Sequence, residues 1–241
     1  MSIKAQFKLK DLKPDKDFIE WNEQMSKDFD QDFYYKHSHP FILWVERMRL
    51  TTISGLIKKH IQKNNLADPV IVEVGCGTGQ VLEEISRTIK TNNLIGIEPL
   101  DEWRKKSHEN LGNKVKLIKG FAEELPFENN LADFIVCTEV LEHVIDPKVV
   151  LNEFSRVIKH DGLIIVSIPN EYLINNFKQV IDLFKIYNML FPNIQKHNDW
   201  HIHSFDLKSF MRYIPRELKE QLLIVIPMFF LPLRYVIAFC K

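Results

Sequence analysis

The stretch Val70 to Ile85 reads VIVEVGCGTGQVLEEI, and it narrows the possible folds more than any other part of the chain. An apolar run of strand length enters a turn with glycines at 75, 77 and 79, and an amphipathic helical pattern leaves it. Glycine tolerates positive φ and lets a ligand approach the backbone closely. A dinucleotide turn needs G-x-G-x-x-G, but the third slot counted from Gly75 holds Gln80. A phosphate-binding Walker loop needs Lys and Ser/Thr after its last glycine, but Gln80 and Val81 follow Gly79. What remains is E-x-G-x-G-x-G, with Glu73 on the strand.

Further apolar runs alternate with helical patterns. Strands are expected at 70–74, 93–98, 114–120, 132–140 and 162–170, with helices at 80–89, near 100–110 and at 147–159. Such alternation implies an α/β fold with a parallel sheet covered on both faces. Ligands then sit beyond the carboxyl ends of the strands, where strand order reverses. Glu98 stands at such an end, nineteen positions after Gly79, and an acidic residue there can accept hydrogen bonds from both ribose hydroxyls. GFAEELPF (120–127) follows the third strand, where its backbone and Glu123 can bracket an adenine edge. CTEVLEHVIDP (137–147) places Thr138, Glu139, Glu142 and His143 near the pocket mouth.

The set VEVGCGTG, GIEPL, GFAEELPF, CTEVLEHVIDP and IKHDGLIIVSIPN resembles the class I S-adenosylmethionine-dependent methyltransferases over roughly residues 68–170, in the branch of ubiquinone-type O-methyltransferases. The resemblance implies a Rossmann-like, doubly wound, seven-stranded sheet, mostly parallel with an antiparallel last strand. It implies S-adenosylmethionine as cofactor and S-adenosylhomocysteine as product. The loop with Glu73, Gly75, Cys76, Gly77 and Gly79 would cradle the methionyl and sugar part, and Glu98 would take the ribose. Pro99 and Leu100 would flank the adenine, Ala122 and Glu123 would face its edge, and Thr138 and Glu139 would complete the contacts. Many relatives carry aspartate where Phe121 stands here, so Glu123 is the substitute contact to the adenine amino group.

A hydroxyl acceptor must lose its proton, and His143 is the candidate base. No metal is expected. The competing arrangement is a metal-assisted RNA 2′-O-methyltransferase, with Glu139, Glu142, His143 and His203 as ligands. His201 and His203 lie on the same side of an extended HIH segment. The formal net charge of zero and the absence of a basic stripe argue against nucleic acid and for a small-molecule acceptor.

LLIVIPMFFLPLRYVIAFC (222–240) is long enough to cross a bilayer, but Pro227, Pro232 and Arg234 favour two strands. An apolar rim touching a membrane surface and a lipidic acceptor is the alternative. The three cysteines form no C-x-x-C pair, and the N-terminus lacks the apolar region of a signal peptide, so a cytoplasmic setting is expected. The organisation expected is a single domain: a helical cap (1–66) with a helix over 39–61, a cofactor core (68–170), a helical lid (171–205), and a final helix with two strands (206–241). Arg47 or Arg49 of the cap can reach the cofactor carboxylate. Tyr172, Phe177, Phe184, Tyr187 and Phe191 of the insertion suit a pocket wall. Oligomeric state is not legible.

Overall fold

All four residues of β1 (Ile71–Val74) are buried, which is what a strand covered on both faces requires. The computed structural model describes residues 16–28, 30–174, 201–229 and 231–241. The other strands are β2 (Leu94–Ile97), β3 (Lys116–Ile118), β4 (Ala132–Thr138), β5 (Ile158–Pro169), β6 (Lys219–Met228) and β7 (Leu231–Cys240). They form one seven-stranded sheet in the order β3-β2-β1-β4-β5-β7-β6. Pairings from β3 through β5 are parallel, while β7 runs antiparallel to β5 and β6. The strand order therefore reverses between β1 and β4, and a ligand crevice lies beyond their carboxyl ends.

The continuous apolar runs divide by alternation into two cores. Val72, Val74, Ile135 and Cys137 face a cluster that contains Val150, Leu151 and Phe154 of α6 (Pro147–Val157). Ile71, Phe134 and Val136 face Ile53 and Ile57 of α3 (Pro40–Asn64) and Val81, Leu82 and Ile85 of α4 (Gln80–Thr88). Proline stands in the first turn of α6, and Asp146 caps that helix by accepting from Lys148 N at 2.8 Å.

The expected cap helix is α3, three residues longer than the sequence pattern at its C-terminal end and closed by Asn65 in the left-handed conformation. Two further helices precede it, α1 (Lys16–Asp28) and α2 (Gln31–His37). With Leu100 and Trp103 of α5 (Asp101–Leu111) and its preceding turn, Phe18, Trp21 and Met25 of α1 form a third core. The final helix amounts to four residues, α7 (Leu207–Phe210), fixed by reciprocal Asp206 and Ser209 bonds. The apolar tail forms the hairpin β6–β7, and among the described residues no helix is long and apolar enough to cross a membrane. Of the insertion, residues 175–200, and with them Phe177, Phe184, Tyr187 and Phe191, lie outside the described residues; Tyr172 is exposed.

Candidate active site

The turn after β1 has φ of +73° at Gly75, +52° at Gly77 and +96° at Gly79. A side chain at Gly75 would meet Val140 at 2.3 Å, and one at Gly77 would meet the Gln31 amide at 2.3 Å. At Gly75 both backbone shape and space require glycine, and at Gly77 the positive φ does, since the end of the Gln31 side chain can swing aside. The amides of Gly75 and Cys76 donate to Ile97 O at 2.8 and 3.0 Å, tying the turn to the end of β2.

Glu98 follows β2 and is 3% exposed. Its Oε2 accepts from Gly77 N and its Oε1 from Leu100 N, each at 3.0 Å. Burial pushes its carboxyl up to about 7, although the two backbone bonds and Arg104 oppose that rise. Each oxygen keeps a second lone pair, so two hydroxyl donors can still be accepted. Beside it, Leu100, Trp103 and Phe121 form an apolar slot against Phe18 and Trp21, with the Phe18 ring 6.2 Å from that of Phe121. The position held by aspartate in many relatives is therefore part of an aromatic cluster. Ala122 is buried and Pro99 half-buried. Glu123 Oε1 is buried without a hydrogen-bond partner, and burial raises its carboxyl.

The cap lies directly on the glycine turn. Thr78 N donates to Gln31 Oε1 at 2.8 Å, and Asp32 Oδ1 accepts from Thr78 Oγ1 at 2.7 Å. Sequence reasoning missed Gln31, Asp32 and Trp21. The spacing of Phe18, Trp21 and Met25 along one helical face was the available signal. Arg49 is buried and Arg47 exposed. Arg49 pairs with Glu46 at 2.8 Å, and its Nη1 is buried without a partner. Glu73 is also buried; desolvation lifts its carboxyl well above the usual range, against the pull of Arg49.

Glu139, at the end of β4, accepts from Ser167 Oγ at 2.9 Å and pairs with Arg234 of β7. Arg234 also reaches Glu46 at 2.6 Å. Burial alone would raise Glu46, but Arg234 and Arg49 outweigh it and hold that carboxyl at about 2. Thr138 is buried beside this group, and the Cys76 and Cys137 thiols are pushed up by burial, which makes them poor nucleophiles.

A second cluster lies along the mouth. Ile202 N and His203 N both donate to Glu142 O, at 2.8 and 3.0 Å, which straps the HIH segment to the loop after β4. The His143 and His201 rings meet edge to face with centroids 4.8 Å apart, and His201 Nδ1 contacts Glu171. His203 Nε2 instead bonds the carbonyls of Val144 and Ile145 at 2.9 and 3.1 Å. The four residues named for the competing metal arrangement are thus not one group: Glu142 and His143 stand with His201, while Glu139 and His203 have other partners.

Residues 72–166 match the family described as "Methyltransferase domain". An uncharacterized methyltransferase of Schizosaccharomyces pombe is 30% identical over 151 residues, 58% of this chain and 53% of that protein. A demethylmenaquinone methyltransferase of Staphylococcus aureus is 31% identical over 138 residues, 54% of this chain and 57% of that one. The chain thus spans little more than half the length of these curated relatives. A crystal structure of a Pyrococcus horikoshii OT3 protein shares the fold at a TM-score of 0.61 and 14% identity, covering 90% of this chain and 98% of that one. Over residues 72–166 the chain is thus similar to class I S-adenosylmethionine-dependent methyltransferase domains. The cofactor of such a domain is S-adenosylmethionine.

Proposed function

We propose that the protein moves the methyl group of S-adenosylmethionine to an oxygen of a small-molecule acceptor. The observation that carries the reading is Glu98: a buried carboxylate, fixed by two backbone amides, with one lone pair left on each oxygen for a ribose. Glu73, Gly75, Cys76, Gly77 and Gly79 would hold the methionyl end. Pro99, Ala122 and Glu123 would border the adenine, and Thr138 and Glu139 would close the remaining side. Methyl transfer from a sulfonium needs alignment above all, because the donor is already activated. A hydroxyl acceptor also needs its proton removed, and His143, whose ring packs against that of His201, would be the base. A small acceptor is in keeping with the relative named for demethylmenaquinone.

The test is calorimetry followed by an acceptor screen with methyl-labelled cofactor. S-adenosylhomocysteine should bind and NAD should not. NAD binding with no response to S-adenosylhomocysteine would refute the reading. Label recovered on an acceptor carbon or nitrogen would keep the methyl transfer and remove the oxygen.

A further inference from the structure

One carboxylate and two imidazoles converge at the mouth without a role in holding the cofactor. Glu142, His143 and His201 each offer one ligand atom, and these atoms all lie within 4.8 Å of one another. They come from two segments separated by more than fifty residues, clamped together by the two amides that donate to Glu142 O. Two further observations point to a ligand between them. Glu142 is 1% exposed, and its Oε2 is buried with no hydrogen-bond partner. A buried polar atom left so is costly, and native structures contain few of them. His201 turns Nδ1 to Glu171, which is itself only 4% exposed, and so keeps Nε2 for another partner. Imidazoles that bind metals are held in this way, with the second ring nitrogen donating to a carboxylate.

We propose that Glu142, His143 and His201 bind one divalent transition-metal ion beside the methyl acceptor, with Glu171 as a positioning residue for His201. Two imidazoles and one carboxylate suit zinc, cobalt, manganese or ferrous iron better than calcium, which prefers oxygen ligands alone. Three protein ligands leave positions open, and an acceptor with one hydroxyl or two adjacent oxygens would fill them. The assignment replaces the expectation of no metal and selects His201 over His203, whose Nε2 bonds two carbonyls and whose ring is not among the three gathered ligand atoms.

The role of the ion rests on the methyl-transfer reading; its binding does not. With both imidazoles as ligands neither is the base; instead a coordinated hydroxyl gives up its proton to solvent more readily than a free one. The oxygen then forms a bond to the methyl carbon as the S–CH3 bond breaks. That electron pair stays on sulfur, so the sulfonium becomes the neutral thioether of S-adenosylhomocysteine.

The experiment titrates the metal-stripped full chain with cobalt(II), read by visible absorption, alongside calorimetry with S-adenosylhomocysteine. One equivalent should bind at about micromolar affinity or better. His201→Ala and Glu142→Gln should each abolish the signal, and His203→Ala should leave it. Glu171→Gln should keep the stoichiometry but weaken affinity by roughly 10–100-fold, as expected for loss of an orienting carboxylate, and shift the cobalt bands. Retained S-adenosylhomocysteine binding shows that a variant is folded. If His201→Ala or Glu142→Gln loses it, His143→Gln decides in its place. No cobalt binding by the wild-type protein, or equal binding by the folded variants, overturns the proposal. Cobalt bound at the cluster by a protein that ignores S-adenosylhomocysteine leaves the metal site standing and removes the methyltransferase reading.

Discussion

Replacing Glu98 with glutamine isolates the carboxylate at the centre of the cofactor site. Its two oxygens offer about four lone-pair sites, of which Gly77 N and Leu100 N use one on each oxygen. The amide keeps one oxygen and sets an NH2 against one of these backbone donors. Glu98→Gln therefore loses one backbone bond and one ribose bond, each worth roughly 1.5–3 kcal/mol for a charged acceptor. Cofactor affinity should fall on the order of a hundredfold, since about 1.4 kcal/mol is tenfold. The carboxyl titrates at about 7 in the ligand-free protein because burial opposes its charge. A ribose that needs both oxygens as acceptors binds the ionised form. Wild-type affinity should therefore be level above that pH and fall by roughly tenfold per unit below it. For stability the sign is opposite. A carboxyl raised in the fold contributes stability that is complete below its unfolded value near 4.5 and lost as pH rises through about 7. Calorimetry with S-adenosylhomocysteine at several pH values across this range measures the affinity in both proteins. Equal wild-type affinity below and above the transition, or unchanged binding by Glu98→Gln, would show that the ribose lies elsewhere.

Arg234→Met leaves Glu46 and Glu139 without their shared cation and should cost about 3 kcal/mol in urea unfolding, within the range for breaking a buried pair. A loss below about 0.5 kcal/mol would mean that solvent already satisfies both carboxylates. Gly77→Ala sets a methyl against the Gln31 amide at positive φ and should destabilise by about 1–2 kcal/mol. Adding Gln31→Ala should recover part of that loss, with a coupling of roughly 0.5–3 kcal/mol; strict additivity would place the cap off the loop. Trp21→Ala removes a side chain that is 1% exposed and should cost about 3–5 kcal/mol by the same measurement, whereas a docked-and-undocked cap would show little change.

The sheet is legible in the sequence because a strand covered on both faces must be apolar at nearly every position, and Ile71–Val74 and Ala132–Thr138 carry that signal locally. The glycine turn and Glu98 are legible for the same local reason. What escapes is set by contacts between distant segments. Alternation puts His201 and His203 on one side of an extended segment, but the bonds from Ile202 and His203 amides to Glu142 O send the two rings to different partners. Nor does any pattern say that Arg234, which appears as a defect in an apolar run, pairs with Glu46 and Glu139. The cap's contact with the glycine turn depends on Gln31 and Asp32, polar residues with no periodic signature.

The Arg234 bridge also closes a long loop of the chain. Its partner Glu46 lies 188 residues earlier in the chain. Contacts of such separation form late, because the entropy of closing the intervening chain must be overcome first. A chain that still lacks β7 leaves Glu139 without its guanidinium and Glu46 with Arg49 alone, so α3 and the end of β4 are not yet tied together. The tie between α3 and the end of β4 closes only once the seventh strand lies in the sheet between β5 and β6.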